Sequence, residues 1–357
     1  MACRRDPEVD HNDPQRVPAV RRSHPVTPSS SESKVGIFVF NQADEYHRRL
    51  AEEACDAARH HGVAVEVHDA GDTAAKQAQD LVRFAGENPG RRLCALIVPF
   101  ADAIAEGVAI QDDATFRLAR RLLQKGVGWV MLNHGRADLV TALRAEFPSL
   151  PIALVGIDNV EFGRIQARFL RGLVKPGAKV LCVRGNPFDS GSQERSAGLK
   201  ESLRGAGIDL EEVDGRWEAK IAESEVRRWI TSPLRQQAPL HAVVAQDDVM
   251  GMAARRALDR AAQELARPDL KGIPVIGGDG LPGMGRRWVD EHALSATVSV
   301  TLPGKTAVDL LWRHWKDSAP LPAVTRLAPA PYPYLYERHP RSSSAARPAS
   351  NATSSKG

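Results

Sequence analysis

Two periods of apolar residues alternate along the central part of this chain. Short runs that are almost wholly apolar, such as KVGIFVF at 34–40 and HAVVA at 241–245, predict buried β-strands. Between such runs, apolar residues recur every three or four positions. The segment EYHRRLAEEACDAARHHG is an example, and it predicts an amphipathic helix that ends at Gly62. Strands separated by helices of this length predict βαβ units and parallel sheets.

The series contains too many strands for one sheet. The predicted strands are KVGIFVF, VAVEVHDA, RRLCALIVPF, VGWVML, PIALVGI, KVLCVRG, LEEVDGRW, HAVVA, IPVIG, SATVSV and PYLYER. A break near 147–151 divides them into two similar halves, and the late helix KTAVDLLWRHWKD indicates that the chain crosses back. We therefore predict an α/β fold with two doubly wound parallel-sheet lobes. The first comprises 34–149 and 302–318, and the second comprises 150–301 and 319–338.

The two ends of the chain differ in composition from this core. Residues 1–33 and 339–357 are rich in Pro, Ser and Arg and have no hydrophobic period, which predicts disordered tails. The first tail has no apolar segment typical of a secretory signal, so the sequence as written indicates a cytoplasmic protein. The sequence contains no run of about 18 apolar residues, so it predicts no membrane-spanning helix.

Composition and charge narrow the classes of function. The chain has 357 residues, of which 43% are hydrophobic, ample for two cores. Its net charge is +4 and its arginines are scattered, so we expect no nucleic-acid partner. The four cysteines are too far apart for a zinc or redox motif, and no other cluster has metal-ligand spacing. No G-x-S-x-G motif indicates a hydrolase nucleophile.

Acidic residues follow two of the predicted strands in the second half. Asp247 and Asp248 come directly after HAVVA, and Asp279 follows IPVIG. Ligands of open α/β sheets bind at the carboxyl ends of the strands. These carboxylates therefore predict a binding cleft without an evident nucleophile.

Four segments in the same order resemble those of the type I periplasmic binding proteins, specifically the ribose-binding-like sugar-binding group. They are VGIDNVEFGRIQARFL, SQERSAGLKESL, VVAQDDVMGMAARRAL and VIGGDGLPGMGRRWVDEHALSATVSV. The resemblance covers roughly residues 34–338. It implies two lobes joined by a multi-strand hinge, and a non-catalytic substrate-binding protein of ABC transporters that closes on a sugar or polyol. It also implies a membrane permease or receptor as partner, a periplasmic location, no cofactor and a monomer.

The resemblance also implies a set of ligand-binding residues. Arg195 would donate to ligand hydroxyls, Trp217 would stack on a sugar face, and the carboxylates would accept hydroxyl hydrogen bonds. The full set is Asn41, Tyr46, His47, Asn133, His134, Arg195, Trp217, Asp247, Asp279 and Thr301. The set departs from the ribose pattern, because Asn133-His134 stands in place of Asp-Arg and Val98-Pro99 in place of Asn before Pro. A sugar, polyol or related polar molecule is expected rather than ribose itself.

Each central residue also has a purely structural interpretation. Asp247 would cap the next helix, although Asp248 suits that role better. Trp217 would pack in the core, and Arg195 would form a surface ion pair within its helix. The motif Gly278-x-Gly280-x-x-Gly283 matches the dinucleotide fingerprint, but its late position favours a ligand-binding turn.

An alternative function is a cytoplasmic ligand-sensing domain related to sugar-responsive transcription regulators. Residues 1–33 are too polar and proline-rich for a helix-turn-helix, so this alternative requires a separate DNA-binding partner.

Overall fold

The computed structural model describes residues 33–99, 113–235 and 238–333. The strands within these residues are β1 (Ser33–Val39), β2 (Ala64–Asp69), β3 (Arg92–Ile97), β4 (Val127–Asn133), β5 (Ile152–Ile157), β6 (Lys179–Arg184), β7 (Asp209–Asp214), β8 (Ala242–Ala245), β9 (Val275–Ile276), β10 (Thr297–Ser299), β11 (Val324–Leu327) and β12 (Ala330–Tyr332). The helices are α1 (Glu45–His60), α2 (Ala74–Glu87), α3 (Ala114–Leu123), α4 (Ala137–Glu146), α5 (Asn159–Leu173), α6 (Ser190–Leu203), α7 (Ala219–Thr231), α8 (Asp248–Glu264), α9 (Arg287–Asp290) and α10 (Pro303–Asp317).

The first lobe is built on a six-stranded parallel sheet with the order β11-β5-β4-β3-β1-β2. Its central strands are apolar on both faces because helices cover both sides. One apolar layer lies under α1 and α10, and the other lies under α2, α3 and α4. A Cβ on Gly304 of α10 would overlap the carbonyl oxygen of Leu50 in α1. The glycine therefore lets α10 and α1 pack closely.

The second lobe is built on a four-stranded parallel sheet with the order β7-β6-β8-β9. Parallel bridges from Ile276 to Ala296 and from Asp279 to Ser299 carry this sheet on to β10. Strand β10 then pairs with β12 in antiparallel orientation. One apolar layer lies under α7 and α8, and the other lies under α5 and α6.

This architecture confirms the predicted α/β fold with parallel sheets, but the lobe boundaries differ from the prediction. Strand β5 belongs to the first sheet, so the chain leaves the first lobe at Asp158 rather than at 149–150. Strand β11 also pairs in the first sheet, so the segment from 319 does not belong wholly to the second lobe. The pattern of an apolar strand shows that it is buried, but not which neighbour it pairs with.

Three elements had no sequence prediction, and one predicted strand cannot be compared. The unpredicted elements are helix α4 and strands β11 and β12. The predicted strand PYLYER begins at Pro333, and its remainder lies outside the described residues, where β12 has already ended. Both predicted tails also lie outside them, except that Ser33 begins β1. No helix among the described residues is long and apolar enough to span a bilayer.

Candidate functional site

A cavity of about 150 Å³ lies where the carboxyl ends of the strands of both sheets face each other. A single water needs about 10–15 Å³ on this scale, so the cavity has room for a small organic molecule. The lining residues come from both lobes: Phe40, Asp44, Glu45, Tyr46, His47, Asn133 and His134 from the first, and Asn159, Asp189, Gly191, Arg195, Trp217, Asp247, Asp248, Val249, Asp279, Leu281 and Met284 from the second. The lobes approach each other here, since His134 Nδ1 lies 4.0 Å from Asp189 Oδ2.

Among the described residues, Arg195 of α6 is the only arginine that lines the cavity, and it is 5% exposed. Its Nε donates to Asn159 Oδ1 at 2.9 Å, and its Nη1 donates to the Gln246 carbonyl oxygen. Both terminal nitrogens lie 3.3–3.4 Å from Asp279 Oδ1. The guanidinium carbon also lies 3.8 Å from the ring centre of Phe162. These contacts hold the charge in one place, which excludes the surface ion-pair interpretation.

Trp217 follows β7, and its side chain both packs against the protein and lines the cavity. Its backbone is left-handed, with φ of 65°, which turns the side chain back over the sheet edge. The indole packs directly on Gly185, where a Cβ would overlap the ring. Its Nε1 donates to Asp189 Oδ2 at 3.1 Å, and Arg195 lies 5.4 Å from the ring centre. The indole therefore presents a fixed apolar surface at the cavity.

The sequence favoured Asp248 as the cap of helix α8, but the structure gives that role to Asp247. Asp247, not Asp248, is the N-cap of α8, and its Oδ1 accepts from the Met250 amide at 2.6 Å. Asp248 instead joins two loops, because its oxygens accept from the Gly280 amide at 2.8 Å and from Thr297 Oγ1 at 2.6 Å. Capping occupies one oxygen of Asp247 and leaves Oδ2 without a donor among the described residues.

Asp279 lies at the end of β9 in a left-handed conformation with φ of 79°. The next residue, Gly280, also has a positive φ, and a Cβ there would overlap the backbone of Ser299. This turn places the Asp279 carboxylate against Arg195 instead of continuing the strand. The motif Gly278-x-Gly280-x-x-Gly283 therefore forms a turn that carries a cavity carboxylate.

The first lobe contributes aromatic and amide groups. Tyr46 donates its hydroxyl to Asn133 Oδ1 at 2.8 Å, and Asn133 is left-handed with φ of 71°. His134 Nε2 lies 2.9 Å from the Pro99 carbonyl oxygen. Burial raises the pKa of Tyr46 well above its ordinary value, so its hydroxyl is a donor at neutral pH.

The structure brings eight of the ten predicted site residues together at the cavity, and leaves out Asn41 and Thr301. Asn41 is engaged elsewhere, because its Nδ2 donates to Asp72 in the loop after β2 at 2.6 Å and its Oδ1 accepts from the Ala43 amide. Thr301 is exposed on the connection between the lobes. Whether the eight contact a ligand is a proposal taken up below.

Several cavity residues were missed by sequence reasoning. Asp44 and Asp189 each follow a strand and begin a helix, as N-caps of α1 and α6. They carry the same strand-end signal that pointed to Asp247, so that signal could have found them. Leu281 and Met284 gave no such signal, because apolar residues after a turn are typical of any core.

Burial and neighbouring negative charge raise the pKa values of carboxylates in the second lobe. Burial, with a further contribution from the Asp279 charge, raises the pKa of Asp247 from 3.8 to about 7. Burial also raises the pKa of Asp279, although Arg195 opposes this shift. No group of residues within the described segments has the arrangement of a metal site. The cavity therefore offers hydrogen-bond donors and acceptors beside aromatic side chains.

The raised pKa of Asp247 predicts a pH-dependent stability. Between 3.8 and about 7 the folded protein holds a proton that the unfolded chain has released, so stability is lost as the pH rises through this range. We expect the melting temperature of the ligand-free protein to fall between about pH 5 and pH 8. Asp247→Asn, which keeps the helix cap, should reduce this fall. An identical pH dependence of melting in both proteins would contradict the assignment.

Comparison with known proteins agrees with this geometry. The sequence pattern of the family described as "Periplasmic binding protein domain" matches residues 35–319. The D-ribose/D-allose-binding protein of Pseudomonas aeruginosa is 24% identical over 204 residues, which cover 56% of this chain and 58% of that protein. The tryptophan synthase alpha chain of Corynebacterium diphtheriae is 25% identical over 233 residues, which cover 63% of this chain and 73% of that protein.

A solved structure shows the same fold. The myo-inositol binding protein of Caulobacter, bound to myo-inositol, matches with a TM-score of 0.66 and 23% identity. The match covers 86% of this chain and 95% of that chain. The likeness therefore extends over both lobes.

Proposed function

Because this chain belongs to the family of periplasmic binding protein domains, we propose that it is a non-catalytic solute-binding protein that closes its two lobes on a small polyhydroxylated ligand. The observation that carries the proposal is the cavity between the strand ends, which is lined from both lobes by charged, amide and aromatic groups. A ligand held there contacts both lobes at once. Its binding free energy therefore shifts the open–closed equilibrium toward the closed form.

The chemistry of the lining suits a sugar or polyol. Arg195 and the carboxylates of Asp247 and Asp279 provide charge-assisted hydrogen bonds to vicinal hydroxyls. Trp217 provides an apolar surface for the C–H groups of a ring. Each lobe supplies polar groups, so a hydroxylated ligand that loses its water regains hydrogen bonds on both sides.

The relatives support the same class of ligand. The Pseudomonas protein is described as binding D-ribose and D-allose, and the Caulobacter protein was solved with myo-inositol. By family membership the closed form of this chain would be presented to a membrane permease of the ABC type. The tryptophan synthase match supports no activity here, because no nucleophile and base are paired among the described cavity residues.

Isothermal titration calorimetry against pentoses, hexoses, their furanose-forming isomers and cyclitols tests the proposal. We expect one of these compounds to bind and to raise the melting temperature by mass action. Binding of nucleosides or NAD with no response to any sugar or polyol would overturn it. Turnover of a bound compound would overturn the non-catalytic part.

Trp217 offers an internal reporter of binding. Ligand binding is expected to change the tryptophan fluorescence, and Trp217→Phe should remove most of that change. The variant also loses the Nε1 donor to Asp189, which we expect to weaken binding by up to about tenfold. Trp229→Phe is the matched control, because Trp229 Nε1 also bonds a carboxylate, Glu211, but does not line the cavity. If the ligand-induced fluorescence change persisted in Trp217→Phe, the ligand would not bind next to this indole.

A further inference from the structure

The charges around the cavity are unbalanced. Five aspartates line it, whereas Arg195 is its one permanent cation among the described residues. The aspartates are Asp44, Asp189, Asp247, Asp248 and Asp279. One glutamate, Glu45, and two histidines, His47 and His134, line it as well.

Most of these acids already have donors. Glu45 pairs with Arg48 and Arg49 on its own helix. Asp248 accepts from a backbone amide and a hydroxyl, as described above. Asp44 caps α1 and accepts from the His47 amide. These three need nothing further from a ligand.

Asp189 is also engaged at both oxygens, and Arg195 has few donors left. Asp189 accepts from the Gly191 amide at 2.6 Å and from Trp217 Nε1 at 3.1 Å, one at each oxygen. The guanidinium of Arg195 bonds Asn159, the Gln246 carbonyl and one oxygen of Asp279. Its single positive charge does not balance both Asp247 and Asp279.

Three carboxylate oxygens at the cavity have no donor among the described residues: Oδ2 of Asp44, Oδ2 of Asp247 and Oδ2 of Asp279. Asp44 is exposed, so water satisfies its free oxygen. Asp247 and Asp279 line the cavity at the ends of the adjacent parallel strands β8 and β9, and Asp247 is only 7% exposed, so its free oxygen meets solvent only through the cavity. A buried anion needs either a proton or a cation.

We propose that the ligand carries a protonated amine beside its hydroxyls, as in an amino sugar or an aminocyclitol, and that the ammonium binds between Asp247 and Asp279. This inference rests on the proposed function and specifies its ligand class. An ammonium has three donors and one charge, so it satisfies both free oxygens and offsets the excess of acids. A neutral hydroxyl donates one hydrogen and leaves the charge excess in place.

The titration of Asp247 is consistent with this arrangement. Burial and the charge of Asp279 raise its pKa to about 7, which shows the cost of holding both anions without a cation. A bound ammonium lowers that cost and lets both carboxylates ionise. The facing groups Asp44, Asp189, Asp248, Arg195 and the two histidines are part of the same electrostatic environment.

Calorimetric titration at about pH 7 with matched pairs tests the inference. The pairs are D-glucosamine with D-glucose, D-galactosamine with D-galactose, D-mannosamine with D-mannose, and 2-deoxystreptamine with myo-inositol. We expect the amine to bind at least about tenfold more tightly than its partner, since one pKa unit of coupling is a factor of ten. N-acetylation, which removes the charge, should abolish the preference.

The outcomes separate this inference from the proposed function. If a neutral sugar binds as tightly as its amine, or more tightly, the inference is wrong and the binding function stands. If no amine and no neutral sugar or polyol binds, both are wrong. Preference for the amine that also survives N-acetylation would overturn the charge argument.

A variant pair locates the ammonium. Asp247→Asn keeps the helix cap and removes the charge, so the amine should lose at least about tenfold more affinity than its neutral partner loses. Glu45→Gln is the control, because this carboxylate also lines the cavity but pairs with Arg48 and Arg49. An unchanged preference in Asp247→Asn would overturn the assignment.

Discussion

Replacement of Arg195 by glutamine is expected to weaken ligand binding by roughly 30-fold to several-thousandfold. Removing one partner of a buried, hydrogen-bonded charge pair costs about 2–5 kcal/mol of binding free energy. Arg195 is such a partner, because it is buried, bonds Asp279 and faces the cavity. Calorimetry with the ligand identified for the native protein measures the loss. Affinity within about threefold of the native value would place the ligand elsewhere.

The same change affects folding, and a second variant separates the two effects. Without Arg195, Asp279 is left half-buried and unpaired, which costs up to about 3–5 kcal/mol of stability. The double variant Arg195→Gln/Asp279→Asn removes that anion and should recover part of the stability without recovering affinity. Arg164→Gln is the control, since Arg164 pairs with Glu201 on the exposed side of the same lobe. Its effects should stay within about 1 kcal/mol.

Replacement of Gly198 by valine is expected to destabilise the second lobe by about 3 kcal/mol or more. Helices α5 and α6 touch through their backbones at two glycines. A Cβ on Gly198 would overlap the Val160 carbonyl oxygen, and a Cβ on Gly163 would overlap the Arg195 carbonyl oxygen. Backbone atoms cannot rotate away, so the helices must separate. Because α6 carries Arg195, we expect ligand affinity to fall as well.

Urea denaturation measures this effect, and the partner helix α5 contains its control. Gly172 also lies in α5, but no atom lies within 4 Å of a Cβ placed there. Gly172→Ala should therefore leave the midpoint unchanged or raise stability by up to about 1 kcal/mol, since alanine favours the helix. Equal midpoints for Gly198→Val and the native protein would show that the helices can move apart freely.

Local pattern was sufficient to predict most of the elements but not their assignment to lobes. Strand β8 was predicted to within one residue of its observed bounds because it is a short apolar run between turn residues. Helix α4 was missed, since its buried residues Leu139, Val140 and Leu143 follow a short loop and make a narrow stripe. Strand β11 was missed because VTRL is short, half-buried and flanked by prolines. Pairing is a non-local property, so β5 was placed in the wrong lobe.

The candidate site was predictable where chemistry follows a strand end. Asn133 ends strand β4, Asp247 and Asp279 lie two and three residues after β8 and β9, and all three line the cavity. The failures concern side-chain direction. Asn41 follows a strand too, but its amide donates to Asp72 in the neighbouring loop instead of lining the cavity. The backbone conformation that decides such cases, for example φ of 79° at Asp279, is not encoded by spacing.

The order in which the chain is synthesised gives the late strands a particular role. Strand β11 pairs with β5, and β12 pairs with β10, so each lobe receives a strand only when the C-terminal part of the chain has emerged. Until then β5 exposes an unpaired edge, which is a template for association with other chains. A ribosome-bound chain that stalls after α10 would hold two nearly complete lobes that both need a chaperone's protection.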